Sequence, residues 1–106
     1  MEFDDVRDKL TITLKQKGWK NVDYSKRFAS SSGTIDLVAS TGGFRKKVLM
    51  IAIGANPFDA GIAGLLLSAI TEKGEKIIFL QEGNPNEVQI TSDISVIANI
   101  EDLPGS

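Results

Sequence analysis

Phe3, Val6, Leu10 and Leu14 recur at helical spacing and predict an amphipathic helix over residues 3–17. Asp4, Asp5 and Asp8 lie near its start and Lys15 and Lys17 near its end, which complements the helix dipole, and Gly18 follows as a stop. Trp19, Val22 and Tyr24 supply the apolar content of a strand between Trp19 and Phe28, and Ser30-Ser31-Ser32-Gly33 reads as a loop. Thr34 to Ser40 alternates, with Ile35, Leu37 and Ala39 on one face and Asp36, Val38 and Ser40 on the other. Val48 to Ile53 is apolar without interruption, as expected of a central strand covered on both faces. Asn56-Pro57 then opens a second helix, with Asn56 as cap, Pro57 in the first position and Asp59 in the first turn. That helix is expected to reach about Lys73, where Gly74 ends it. Lys76 to Gln81 reads as a strand, Gly83 to Asn86 as a turn, and Val88-Gln89-Ile90 as a short edge strand. Ile94 to Ala98 reads as a last strand, and Ile100 to Leu103 as a closing turn.

The order is α-β-β-β-α-β followed by two short C-terminal strands, an α/β arrangement with a central mixed sheet flanked by helices. One register decides what Asp36 faces. A two-residue turn at Gly42-Gly43 would set Asp36 opposite Leu49 and put Ala52 on the other face. A five-residue loop from Gly42 to Lys46 would set Asp36 opposite Ala52.

At 106 residues the chain is expected to form a single domain, residues 1–106, with an ordinary globular balance of 42% hydrophobic and 25% charged residues. It has no cysteine and no histidine, which removes thiolate chemistry, the usual general base and the commonest transition-metal ligand. No metal and no cofactor are expected. The acidic, polar N-terminus is unlike a signal peptide and no apolar run has membrane-spanning length, so a cytoplasmic location without membrane association is expected. The net charge of −2 conceals an asymmetry: nine basic residues from Lys9 to Lys47 stand against Asp23 and Asp36, whereas no basic residue follows Lys76.

The order of elements, together with Leu14-Lys15-Gln16-Lys17-Gly18-Trp19, the basic Ser-rich loop and Ile35-Asp36-Leu37-Val38-Ala39, resembles the PD-(D/E)XK nuclease superfamily over residues 3–81. Within it, the chain looks most like the archaeal Holliday-junction resolvase-like members. The resemblance implies a restriction-endonuclease-like fold and magnesium-dependent attack on a phosphodiester. In such nucleases a strand aspartate and a second carboxylate hold magnesium while a lysine two residues further on supports the nucleophile. Asp36 matches the aspartate, with Thr34-Ile35 in place of the family's proline. Ala52 stands where the second carboxylate belongs and Gly54 where the lysine belongs. The expectation is a degenerate active site in which Asp36 is a relic. An enzyme would require acids that have migrated, with Asp59, Glu2 and Asp5 as the candidates.

Binding to DNA needs cations but no metal, so a non-catalytic, nucleic-acid-associated or scaffolding role is the leading expectation. The candidate contacts are Lys15, Lys17 and Lys20 at the end of the first helix, Lys26 and Arg27 with Ser30, Ser31 and Ser32 in the strand and loop, and Arg45 and Lys46 beside Lys47 in the hairpin. Tyr24, Phe28 and Phe44 are interleaved with them as aromatic surfaces for unpaired bases, or as packing residues. Gly61, Gly64, Leu65 and Ser68 make a stripe of mostly small residues on the second helix, read as the contact of a homodimer or as internal packing. Two alternatives belong to other classes: a module that binds a protein partner and no DNA, and a structure-specific endonuclease with migrated acids.

Overall fold

The first helix, α1 (Phe3–Gln16), forms where the sequence pattern places it and buries Val6, Leu10 and Leu14. Residues 2–91 and 93–106 are described by a computed structural model. α1 ends in a Schellman motif. The Trp19 N–H donates to the Leu14 carbonyl at 3.1 Å and the Gly18 N–H to the Lys15 carbonyl at 3.2 Å. Gly18 has φ +99°, a conformation that a residue with a Cβ rarely adopts, so the glycine is what lets the chain reverse into the sheet.

The sheet contains β1 (Asn21–Lys26), β2 (Ile35–Ser40), β3 (Val48–Gly54), β4 (Glu75–Leu80) and β5 (Ile94–Ile97), side by side in chain order. β1, β2 and β3 pair antiparallel; β3, β4 and β5 pair parallel. The second helix, α2 (Pro57–Ser68), makes the crossover between β3 and β4. The sheet is therefore mixed and open, with α1 on one face and α2 on the other.

Alternation along β3 explains why its run is uniformly apolar. Leu49 and Ile51 join α1 in one core, whereas Met50 and Ala52 join α2 in the other. The β2–β3 hairpin closes with Ser40 facing Val48 and Leu37 facing Ile51. Just beyond, the Thr41 N–H donates to the Lys47 carbonyl at 3.1 Å and the Lys47 N–H to Thr41 Oγ1 at 2.9 Å. The loop is thus the five-residue Gly42–Lys46, and the same register brings Asp36 level with Ala52.

Two elements differ from the sequence expectation. α2 ends at Ser68 rather than near Lys73. The Ile70 N–H turns back to the Leu67 carbonyl, Ile70 enters the core, and the Thr71 N–H donates to Ser30 Oγ at 3.0 Å. Helix hydrogen bonds are exchanged there for burial of one large side chain and for a contact with the serine loop. Residues 88–90 do not form a strand, so β5 alone follows β4 among the described residues. A short 3₁₀ turn (Pro85–Glu87), capped reciprocally by Asn84 and Glu87, delivers Val88 into the α2-side core instead. Ile90 then lies over Gly64, where a Cβ would come within 2.9 Å of Ile90 Cγ2.

The C-terminal segment closes the α1 side. The Trp19 indole N–H donates to the Pro104 carbonyl at 2.8 Å, and Lys17 Nζ donates to the carbonyls of Glu101 and Leu103. Among the described residues, no helix is long and apolar enough to cross a membrane.

Candidate functional site

Asp36 lies near the start of β2, between Ile35 of the α2-side core and Leu37 of the α1-side core, where β2 begins to part from β3. Its Oδ2 accepts the Ile53 N–H at 2.7 Å, so the carboxylate takes up a β3 donor beyond the last paired residues of the hairpin. Burial raises its carboxyl above the usual range, and the Ile53 hydrogen bond partly offsets that rise. Ser25, which falls at the same level of β1, has φ +52°, and the chain departs into the serine loop two residues later.

The neighbouring positions are closed. Ala52 is 3% exposed. Gly54 packs against the first turn of α2, and a Cβ there would come within 2.9 Å of the Ala60 Cα, closer than such atoms approach. A lysine at 54 has no room while α2 is seated. Asp59 is exposed in the first turn of α2, where its N–H donates to Asn56 Oδ1 at 2.9 Å. Glu2 and Asp5 are exposed at the start of α1. Among the described residues, no three His, Cys, Asp or Glu side chains form a group able to hold a metal ion.

The candidate cations divide into two groups. β1 starts and β2 ends at the hairpin end of the sheet, and β3 and β4 both start there. That end gathers Lys15, Lys17, Lys20, Arg45, Lys46 and Lys47. Lys73 joins them from the turn before β4, and it lines with Lys46 and Lys47 a depression of about 390 Å3. Sequence reasoning passed over Lys73; the signal was its place just before a strand that must start beside β3. Lys26 and Arg27 lie at the other end of β1, about 17 Å away for a strand of its length.

Several candidates have work within the fold. Lys17 holds the C-terminal segment, as described above. Lys26 Nζ sits 3.7 Å from an Asp23 carboxylate oxygen. Ser30 bonds through its hydroxyl and N–H to Glu72, which holds that carboxyl below its ordinary range. Ser31 is buried, donating to the Phe28 carbonyl at 2.9 Å and accepting the Phe28 N–H at 3.0 Å. Ser32 is exposed. By contrast, Lys15, Lys20, Arg45, Lys46, Lys47 and Lys73 are exposed, and none is in an ion pair among the described residues.

The aromatics also separate. The Arg7 guanidinium stacks 4.2 Å from the Tyr24 ring centre, and Phe28 packs on the α2-side core. Phe44, at the tip of the hairpin loop, is fully exposed. On α2, Gly61 and Gly64 face Gln89 and Ile90 of the same chain, so that part of the small-residue stripe packs within the chain. Leu65 and Ser68 remain exposed, and Phe58, Ile62 and Leu65 form an uncovered apolar line along the helix.

Comparison with known proteins finds no matching family model, no matching curated protein and no matching solved structure.

Proposed function

We propose that this chain is a non-catalytic nucleic-acid-binding domain that contacts the phosphate backbone through the hairpin end of its sheet. The observation that carries the reading is the set of exposed cations there that form no ion pair among the described residues: Lys15, Lys20, Arg45, Lys46, Lys47 and Lys73. Such a surface gains by neutralising phosphates and releasing counterions. The acids are mostly elsewhere. Asp4, Asp5 and Asp59 start the two helices and Glu82 follows β4 at the opposite end of the sheet, while Glu75 and Asp93, at or just before the starts of β4 and β5, share the hairpin end. Charge separated in this way orients a domain on a polyanion even when its total charge is negative.

A nuclease-like ancestry is part of the proposal. The α-β-β-β-α-β order and Asp36 level with Ala52 are what a PD-(D/E)XK arrangement requires, with Ala52 and Gly54 in the places of a carboxylate and a lysine. The seating of Ala60 on Gly54 supports loss of catalysis in such a lineage, because the space for the lysine is filled by α2. Binding outlives the metal site because it uses different residues.

The test is fluorescence anisotropy with duplex, single-stranded and four-way-junction DNA across a salt series. Binding is expected to weaken steeply with salt. A Lys20→Ala, Arg45→Ala, Lys46→Ala, Lys73→Ala variant is expected to bind more weakly with a shallower salt slope. No binding by the wild type at low salt overturns the reading.

The line of Phe58, Ile62 and Leu65 favours a second reading, in which α2 is a protein-contact surface for a homodimer or another partner. Light scattering across a concentration series tests the homodimer, with Leu65→Glu expected to hold the chain monomeric.

A further inference from the structure

Among the described residues, Phe44 is the one aromatic ring that the fold sets among cations without an ion-pair partner, and none of them packs against it. Its accessibility is 103%, against 42% for Tyr24, whose ring already carries the Arg7 guanidinium. The loop that presents it is closed at its base by the two Thr41–Lys47 hydrogen bonds. Gly43 precedes it with φ +94°, a turn that throws the next side chain outward. Arg45, Lys46 and Lys47 follow it directly, and Lys20 lies alongside, its Cδ within 3.4 Å of where a Cβ on Gly42 would be.

An exposed phenyl ring buries nothing in this fold, yet it is presented on the hairpin loop beside charges suited to phosphate. We propose that Phe44 stacks on an unpaired base, so that the hairpin end prefers single-stranded or frayed nucleic acid over intact duplex. This rests on the nucleic-acid reading above and narrows its ligand class. Base–aromatic stacking needs one ring per base and an accessible π-face, which only an unpaired or splayed nucleotide offers. Flanking cations track the backbone on either side. A lipid surface would be engaged by a broader apolar face than one ring on a glycine turn provides.

The experiment compares wild type, Phe44→Ala and Phe44→Trp by anisotropy on an oligothymidine and on a duplex of equal length at fixed low salt. The same proteins are followed by quenching of 2-aminopurine placed in the single strand, and by co-sedimentation with phosphatidylserine vesicles. Phe44→Ala is expected to lose about tenfold in single-strand affinity. Its duplex affinity, salt slope and melting temperature are expected to stay unchanged, and Phe44→Trp is expected to restore binding and quenching. Because the ring is wholly exposed, unfolding does not confuse the result. Equal losses on both nucleic acids, or no loss on either, overturn the stacking role while leaving the cationic surface in place. Absence of all DNA binding by the wild type overturns both proposals. Vesicle binding that depends on Phe44, without quenching of 2-aminopurine, assigns the ring to a membrane surface and overturns this one.

Discussion

The carboxylate of Asp36 accepts the backbone N–H of Ile53 at 2.7 Å, so an acid in one strand supplies the hydrogen bond that the diverging ladder does not. Asp36→Asn keeps an acceptor in that place and removes the charge. Asp36→Ala leaves the N–H without its partner, at a cost of about 1–3 kcal/mol in a buried setting. Urea denaturation should rank the alanine variant well below the asparagine one. Equal stability of the two would mean that the contact is incidental.

The same carboxyl fixes a pH dependence. Its value is raised in the fold by burial, so the folded state holds the proton more readily than the unfolded chain. Its contribution is fully present below the ordinary aspartate value and is lost as pH rises through the raised one. The stability advantage of Asp36→Asn should therefore widen from acid to neutral pH. A gap independent of pH would contradict this.

Glu72 titrates with the opposite sign. The Ser30 hydroxyl, as the largest cause, holds its carboxyl below the usual range. That contribution is present above the ordinary glutamate value and disappears as pH falls through the lowered one. Acidification should speed amide exchange at Ser30 and Thr71, where the serine loop meets the end of α2. Glu72→Gln should abolish that acid dependence.

Gly54→Ala inserts a methyl group 2.9 Å from the Ala60 backbone and should destabilise the fold by about 1–3 kcal/mol. The pair Ala52→Glu with Gly54→Lys should be worse, and should gain no magnesium-dependent cleavage of DNA. Thermal unfolding and a nuclease assay read both effects. A stable, cleaving double variant would show that α2 can yield its seat.

Trp19→Phe keeps the ring in the α1-side core but removes the indole donor to Pro104. A loss of about 1 kcal/mol is expected, with faster amide exchange over residues 100–106. Lys17→Met should add to it, because Lys17 Nζ holds the carbonyls of Glu101 and Leu103. If Lys17→Met instead weakens DNA binding without affecting the latch, Lys17 belongs with the phosphate contacts.

The parts legible in the sequence were those fixed by local rules. The Phe3/Val6/Leu10/Leu14 spacing with Gly18, the Asn56-Pro57 start of α2 and the apolar run of β3 each carry their own signal. The hairpin could be narrowed to two registers, and Thr41 with Lys47 chose between them. What escaped was decided by distant partners. The end of α2 depends on Ser30, forty-one residues before Thr71, and the path of residues 88–90 depends on the gap above Gly64. Basic residues were equally visible at Lys17 and Lys20, but only packing separates the one that anchors a carbonyl from the one left in water. Tyr24, Phe28 and Phe44 were each readable as base surfaces or as packing residues, and only the fold separates Phe44 from the other two.

The latch that joins Lys17 and Trp19 to residues 101–104 makes the end of α1 depend on contacts distant in the chain. α1 can coil early, since its hydrogen bonds are local, but its carboxyl end acquires these partners only from residues more than eighty positions later. Until they arrive, the lower edge of the α1-side core, where Leu103 belongs, is open to water. A chain that lacks residues 101–104 therefore lacks the partners that tie the carboxyl end of α1 to the rest of the fold.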